Sequence, residues 1–212
     1  MRAGRKHTGT MRIGGIALLI VLSFEAVSPG MLAQADDTGE LERWAEFSRS
    51  SDARKLAAWL HCGMAARLGG ASRCAAPGVL PRFSGELGIF VTIMNGRSVR
   101  GCYGAFHHSA GDFLSAAGDY LRSAMVNDPR HQPVGPGEEA GLRVVVTVAG
   151  RPFPVEDIES MDLARFGVMI SMDDGTSAVF VPAELITAAS IYRAVKRESI
   201  VQCHAFRAVT IR

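Results

Sequence analysis

The chain has 212 residues, 48% of them apolar and 21% charged, with a formal net charge of +2. This composition excludes a disordered tail, a collagen and a coiled coil. A charge so near neutrality excludes nucleic-acid binding driven by bulk charge, and the length allows one domain with room for two lobes.

At the N-terminus, Arg2, Arg5, Lys6 and Arg12 precede an apolar run from Ile13 to Phe24, closed by Glu25. The run is too short for the roughly 20 residues a membrane-spanning helix needs. Ala33 and Ala35 then place small residues just before Asp36. Basic head, short apolar run and small-residue cleavage site make a secretory signal peptide. The expected boundaries are therefore 1–35 signal peptide, 36–51 polar N-terminal segment and 52–212 domain. Cleavage would remove four basic and one acidic residue and leave a net charge of −1. No second apolar run of spanning length follows, so the expectation is an exported protein, periplasmic or secreted, with no membrane attachment after cleavage. Export places Cys62, Cys74, Cys102 and Cys203 in an oxidising compartment. Cys62 and Cys74 are near in sequence, flank a loop and are the expected disulfide; closing that span is worth about 3 kcal/mol. Cys102 either stays free or pairs with Cys203.

Residues 36–51 predict a short, loosely docked helix. Asp52 is the expected cap of the next one, whose apolar stripe runs Leu56, Trp59, Leu60, Met64, Leu68 and stops at Gly69-Gly70. Residues 71–84 read as loop. Gly88–Met94 predicts a strand, Asn95-Gly96 a hairpin turn and Arg97–Phe106 the return strand. A helix follows from Phe113 and ends at Asn127-Asp128-Pro129. Leu142–Ala149 predicts a buried strand, and Gly167–Asp173 with Thr176–Val181 a second hairpin. Pro182 opens an expected helix reaching about Arg197, and Ala205–Ile211 predicts the last strand. Hairpins dominate, so the predicted fold is α+β, an antiparallel sheet flanked by helices in two unequal lobes.

The segment Arg100-Gly101-Cys102-Tyr103-Gly104 stands apart. Glycines in a strand let a ligand or another backbone approach, and an arginine beside a cysteine favours its thiolate. The segment therefore predicts an accessible thiol in a basic groove spanning residues 99–106.

These residues resemble a known family. Phe90-Val91-Thr92, Val99-Arg100-Gly101-Cys102-Tyr103-Gly104 and Asp128-Pro129-Arg130-His131-Gln132-Pro133-Val134 are similar to the successive motifs of the AMMECR1 domain family. Glu138-Glu139 before the Leu142 strand, Gly167-Val168 and Val179-Phe180-Val181-Pro182 look like further elements of it. The resemblance covers roughly residues 50–211. Tyr103 stands where the family has Ile, and His131 where it has Phe. The resemblance implies an α+β fold with an antiparallel sheet and two unequal lobes, an activity not established, and Memo-like and radical-SAM partner proteins in prokaryotes. A radical-SAM enzyme needs a reducing cytosol, so export would separate this chain from such a partner.

Two functions follow as expectations. The first is a binding module for a small molecule or protein partner, with Arg100, Gly101, Gly104, Asp128 and Arg130 forming the groove. The second is an enzyme with Cys102 as nucleophile, Arg100 as anion anchor and His107 or His131 as base. The Cys and His spacings match no metal motif, and no motif calls for a cofactor.

Overall fold

The structure is a computed structural model that describes residues 38–70, 73–184 and 186–212. The predicted signal segment 1–35 lies outside the described residues. Among these residues no helix is long and apolar enough to cross a membrane.

The N-terminal helix α1 (Thr38–Phe47) is docked, not loose. Leu41, Trp44 and Phe47 recur every three residues and are buried, and the Trp44 ring stacks on Phe113 at 4.4 Å. Helix α2 spans Ser51–Arg67, and its cap is Ser50 rather than Asp52: the Ser50 side chain accepts from the Ala53 N–H. Asp52 lies in the first turn, where its charge suits the helix dipole. At the other end Gly69 adopts φ +92°, and the Gly70 N–H returns to the Ala65 carbonyl. Strands β1 (Gly88–Asn95) and β2 (Ser98–Ala105) form the first hairpin, with Gly96 at φ +58° in its turn. Helix α3 (Phe113–Val126) is capped by Asp112 and stops at Asn127.

The remaining strands are β3 (Leu142–Ala149), β4 (Phe153–Val155), β5 (Phe166–Met172), β6 (Ser177–Phe180) and β7 (Ile200–Ile211). The predicted helix from Pro182 is instead two pieces, a 3-10 turn at Pro182–Glu184 and a short helix α4 (Ala188–Ala194) with Thr187 as its cap. β4 and the first half of β7 had no counterpart among the predicted elements.

All pairings are antiparallel and the strand order is β2-β1-β3-β7-β5-β6, with β4 beside β7. The long β7 is the spine: residues 200–207 pair with β5 and residues 208–211 with β3. The fold is α+β, and its sheet curls into a half-barrel. Alternation along the strands separates three apolar clusters, one of them between β5, β6 and α4. Ile89, Val91, Ile93, Val144, Val146 and Val148 face α1, α2 and α3 on the outside of the curl. Phe90, Met94, Cys102, Phe106, Val145, Met169, Val179, Val181 and Phe206 fill the inside.

Three rings on the inside, Phe90, Phe106 and Phe206, pack with centroids 5.0–6.1 Å apart. Each rests against a glycine that has no room for a Cβ: Phe90 on Gly104, Phe106 on Gly88 and Phe206 on Gly167.

Cys62 and Cys74 are bonded, as the spacing predicted, and Cys102 and Cys203 are both free. The bond closes a loop of sequence separation 12. Cys62→Ser with Cys74→Ser is expected to lower unfolding free energy by about 2–4 kcal/mol, read from urea denaturation of variant and wild type under non-reducing conditions.

Candidate functional site

The two matched motifs meet at one place. Strand β2 is an edge strand, so the Cys102 N–H has no strand on its outer side. Asp128, in the turn after α3, supplies the missing acceptor: its Oδ2 lies 2.8 Å from the Cys102 nitrogen. Asp128 itself is buried and is held by Arg130, whose Nη2 lies 2.8 Å from Oδ2 and whose Nε lies 3.0 Å from Oδ1. The other arm of Arg130 reaches the 3-10 turn after β6, with Nη1 3.0 Å from the Glu184 carboxylate. Glu184 also accepts from the N–H of Val181, one residue beyond β6, at 3.3 Å.

β2 and β6 are the two ends of the six-strand path, from which only the short β4 branches at β7. Asp128, Arg130 and Glu184 therefore bridge the seam of the half-barrel, each carboxylate taking a backbone N–H at one edge and the guanidinium joining them. Glu184 was not among the predicted site residues. The signal available in sequence is a lone carboxylate among apolar neighbours, Val181-Pro182-Ala183-Glu184-Leu185-Ile186.

The electrostatics of this bridge are lopsided. Its one guanidinium serves two carboxylates. Burial alone would raise the Asp128 carboxyl, but its several bonds from Arg130 and the nearby charge more than offset that and hold it below the ordinary range. Glu184 receives the smaller share of Arg130, and burial pushes its carboxyl above the ordinary value. Burial also opposes the charge on Arg130, and the two carboxylates overcome it, so the guanidinium stays protonated.

Cys102 sits beneath this bridge, 5% exposed, with its sulfur 3.4 Å from the Thr92 hydroxyl. Burial pushes the thiol far above its ordinary value, and the neighbouring Glu184 adds to the rise. Arg130 and Thr92 pull the other way with less effect. The sulfur is a neutral, covered side chain, in contrast to the accessible thiol expected from its glycines and its neighbouring arginine.

The glycines do not open a groove. A Cβ on Gly101 would run into the Ala124 carbonyl of α3, and one on Gly104 into the backbone of β1. Both let backbone pack on backbone, as the sequence alone allowed, but the approaching group belongs to this chain. Arg100 is likewise committed. Its Nε and Nη2 grip both oxygens of Glu138 at 2.7 and 2.9 Å, and its remaining contacts go to the Gln132 and Pro133 carbonyls. The expected anion anchor is a strut between β2 and the 132–138 loop, with Glu138 as its ionic partner.

The histidines disperse. His107 is exposed at the end of β2. His108 is fixed between the Tyr120 hydroxyl at 2.8 Å and the Leu87 carbonyl at 2.7 Å. His131 stands on the outer side of the seam near Asp128, Arg130 and Arg100, and partial burial lowers its pKa. The groups acting most on the Cys102 sulfur are Glu184, Arg130, Thr92 and Asp128, so the bases expected for it are not its neighbours. Among the described residues no set of three His, Cys, Asp or Glu could hold a metal ion.

The AMMECR1 family model matches residues 61–205. The chain belongs to the AMMECR1 family. The AMMECR1 match contains Arg100–Gly104, Asp128–Arg130 and Glu184, and it leaves out α1. A Thermotoga maritima protein is 33% identical over 89 residues, covering 42% of this chain and 51% of that protein. A Methanococcoides burtonii protein is 36% identical over 100 residues, covering 44% of this chain and 49% of its own length. The chain thus spans about half the length of these curated relatives. The crystal structure of the uncharacterised protein PH0010 from Pyrococcus horikoshii superposes with a TM-score of 0.52 at 19% identity, over 79% of this chain and 90% of that one. That likeness shows the shared fold.

Two predictions concern the AMMECR1 seam. Asp128→Ala strands the Cys102 N–H, leaves Arg130 with Glu184 alone, and is expected to destabilise the chain by about 3–5 kcal/mol in urea titrations. Glu184 works in the opposite sense with pH. Its folded pKa is raised, so the fold holds that proton longer than the unfolded chain does. Its contribution to stability is full below the ordinary 4.5 and is lost as pH rises toward the folded value. Glu184→Gln is expected to flatten that decline when denaturation midpoints are compared between about pH 4 and pH 7.

Proposed function

We propose that this AMMECR1 chain acts by binding rather than by thiol chemistry, and that it does so outside the cytosol. The observation that carries the reading is the covered sulfur. A nucleophilic cysteine needs access and a lowered pKa; Cys102 is 5% exposed and its pKa is pushed up. Both arginines offered by the motifs are already engaged by carboxylates.

The face best suited to binding is the outer side of the seam. The loop from Val126 to Pro133 is fixed from beneath by Asp128 and presents half-exposed Val126, exposed Asn127, Gln132 and Pro133, and partly exposed Arg130 and His131. A segment anchored at its base loses little freedom when it meets a small ligand or a protein partner. Export is supported by the basic head and apolar run of residues 1–35 and by the Cys62–Cys74 bond, since disulfides persist in oxidising compartments. An exported chain would not meet the radical-SAM enzymes of the cytosol.

The test uses the full chain expressed in a bacterium with two membranes. The expected product is periplasmic and has a mass beginning at Asp36. A cytoplasmic product with its first residues intact would overturn export. Native chain treated with iodoacetamide should be modified at Cys203, with Cys102 slower than in unfolded chain by about 100-fold or more. Rapid native modification of Cys102, read by peptide mass spectrometry, would restore the enzyme reading.

A further inference from the structure

A concavity lies between α1 and the β5–β7 pair. It has a volume of about 230 Å³, and Arg49, Arg165 and Arg207 line it together with Glu42. Phe166 and Val209 contribute apolar surface to the same wall. The three arginines come from three separate segments: the turn after α1, the residue before β5, and β7.

Their charges are not matched. Arg207 pairs with Glu42 at 2.6 Å. Arg49 and Arg165 have no side-chain hydrogen bond or ion pair among the described residues. Three guanidinium groups against one carboxylate give the lining a charge of +2 in a chain whose whole formal charge is also +2. Like charges gathered in a concave, partly apolar wall repel one another, and the field they focus attracts anions. The guanidinium fork matches the oxygens of carboxylates and phosphates, which favours it over lysine for such recognition. The seam differs on each of these points, since its carboxylates outnumber its cation and its donors are taken up. The pocket also lies mostly outside the segment matched to the AMMECR1 family, because α1 precedes residue 61 and Arg207 follows residue 205.

We infer that this pocket is a binding site for a small organic dianion, a compound with an apolar body and two negative charges on oxygen. Arg49 and Arg165 engage the charged oxygens, while Phe166 and Val209 meet the body. The volume limits the ligand to a compact molecule, below the usual range for drug-sized ligands.

Isothermal titration calorimetry of the full chain at low ionic strength tests the site with phenyl phosphate, phthalate and the monoanion benzoate. Phenyl phosphate or phthalate is expected to bind at least ~10-fold more tightly than benzoate, since the second charge adds a charge-assisted bond. The tighter of the two tells whether phosphate or dicarboxylate is the ligand class. Arg49→Ala and Arg165→Ala are each expected to weaken that binding ~10-fold, and the double variant to remove it. Both side chains are exposed and hold no partner among the described residues, so circular dichroism spectra should be unchanged. Arg193→Ala, an exposed cation away from the pocket, should bind as wild type. No heat with either dianion up to about 10 mM, undiminished binding in the double variant, or equal weakening by Arg193→Ala would each overturn the assignment.

Discussion

One shared cation closes this fold. The strand path of the half-barrel ends at β2 and β6, and among the described residues no strand joins these two ends. Asp128 and Glu184 satisfy a backbone N–H at either edge, and Arg130 holds the two carboxylates together. Most barrels close by continuing the hydrogen-bond ladder, which abolishes the edge altogether. Here the ladder is replaced by ions, whose desolvation is costly and whose net contribution to stability is small. Such a bridge acts chiefly as a specification: no apolar pair of the same size could cap both backbone groups and also fix the spacing of the edges.

The arrangement reassigns the most distinctive residues of the sequence. Gly101 lets α3 settle on β2, and Gly104 seats the Phe90 ring. Arg100 ties the edge strand to the loop bearing Glu138, and Cys102 fills the space beneath the ionic bridge. Each has a packing or pairing partner within the chain, so the motif explains the architecture more than it explains chemistry. The surfaces with unsatisfied character lie elsewhere, on the outer loop and in the arginine-lined concavity beside α1.

Much of the fold was legible because its signals are local. The β1–β2 hairpin follows from apolar residues flanking Asn95-Gly96, the strand Leu142–Ala149 from its β-branched run, and α3 from its stripe and the proline beyond it. The Cys62–Cys74 bond follows from spacing. The misread parts depend on partners distant in sequence. Pro182 is compatible with a helix start, yet Glu184 is drawn into the seam and the chain forms only a 3-10 turn there. β7 extends upstream to Ile200 because β5 offers it a ladder, although Gln202 and His204 interrupt any apolar pattern. The 36–51 segment looked loose because its surface is charged, while the period of Leu41, Trp44 and Phe47 carried the docking signal. For the site, the residue types were legible but the approaching group was not. A glycine announces a close neighbour without naming it, and an arginine beside a cysteine says nothing of the glutamate across the fold.

The seam also has a mechanical side. A zipper of strand hydrogen bonds comes apart one rung at a time, so damage stays local. A clasp hung on a single side chain has no rungs: among the described residues Arg130 is the one ionic link between its two jaws, and once it lets go both carboxylates lose their shared partner together. The core behind them, with its sulfur and three packed rings, then meets water in one event.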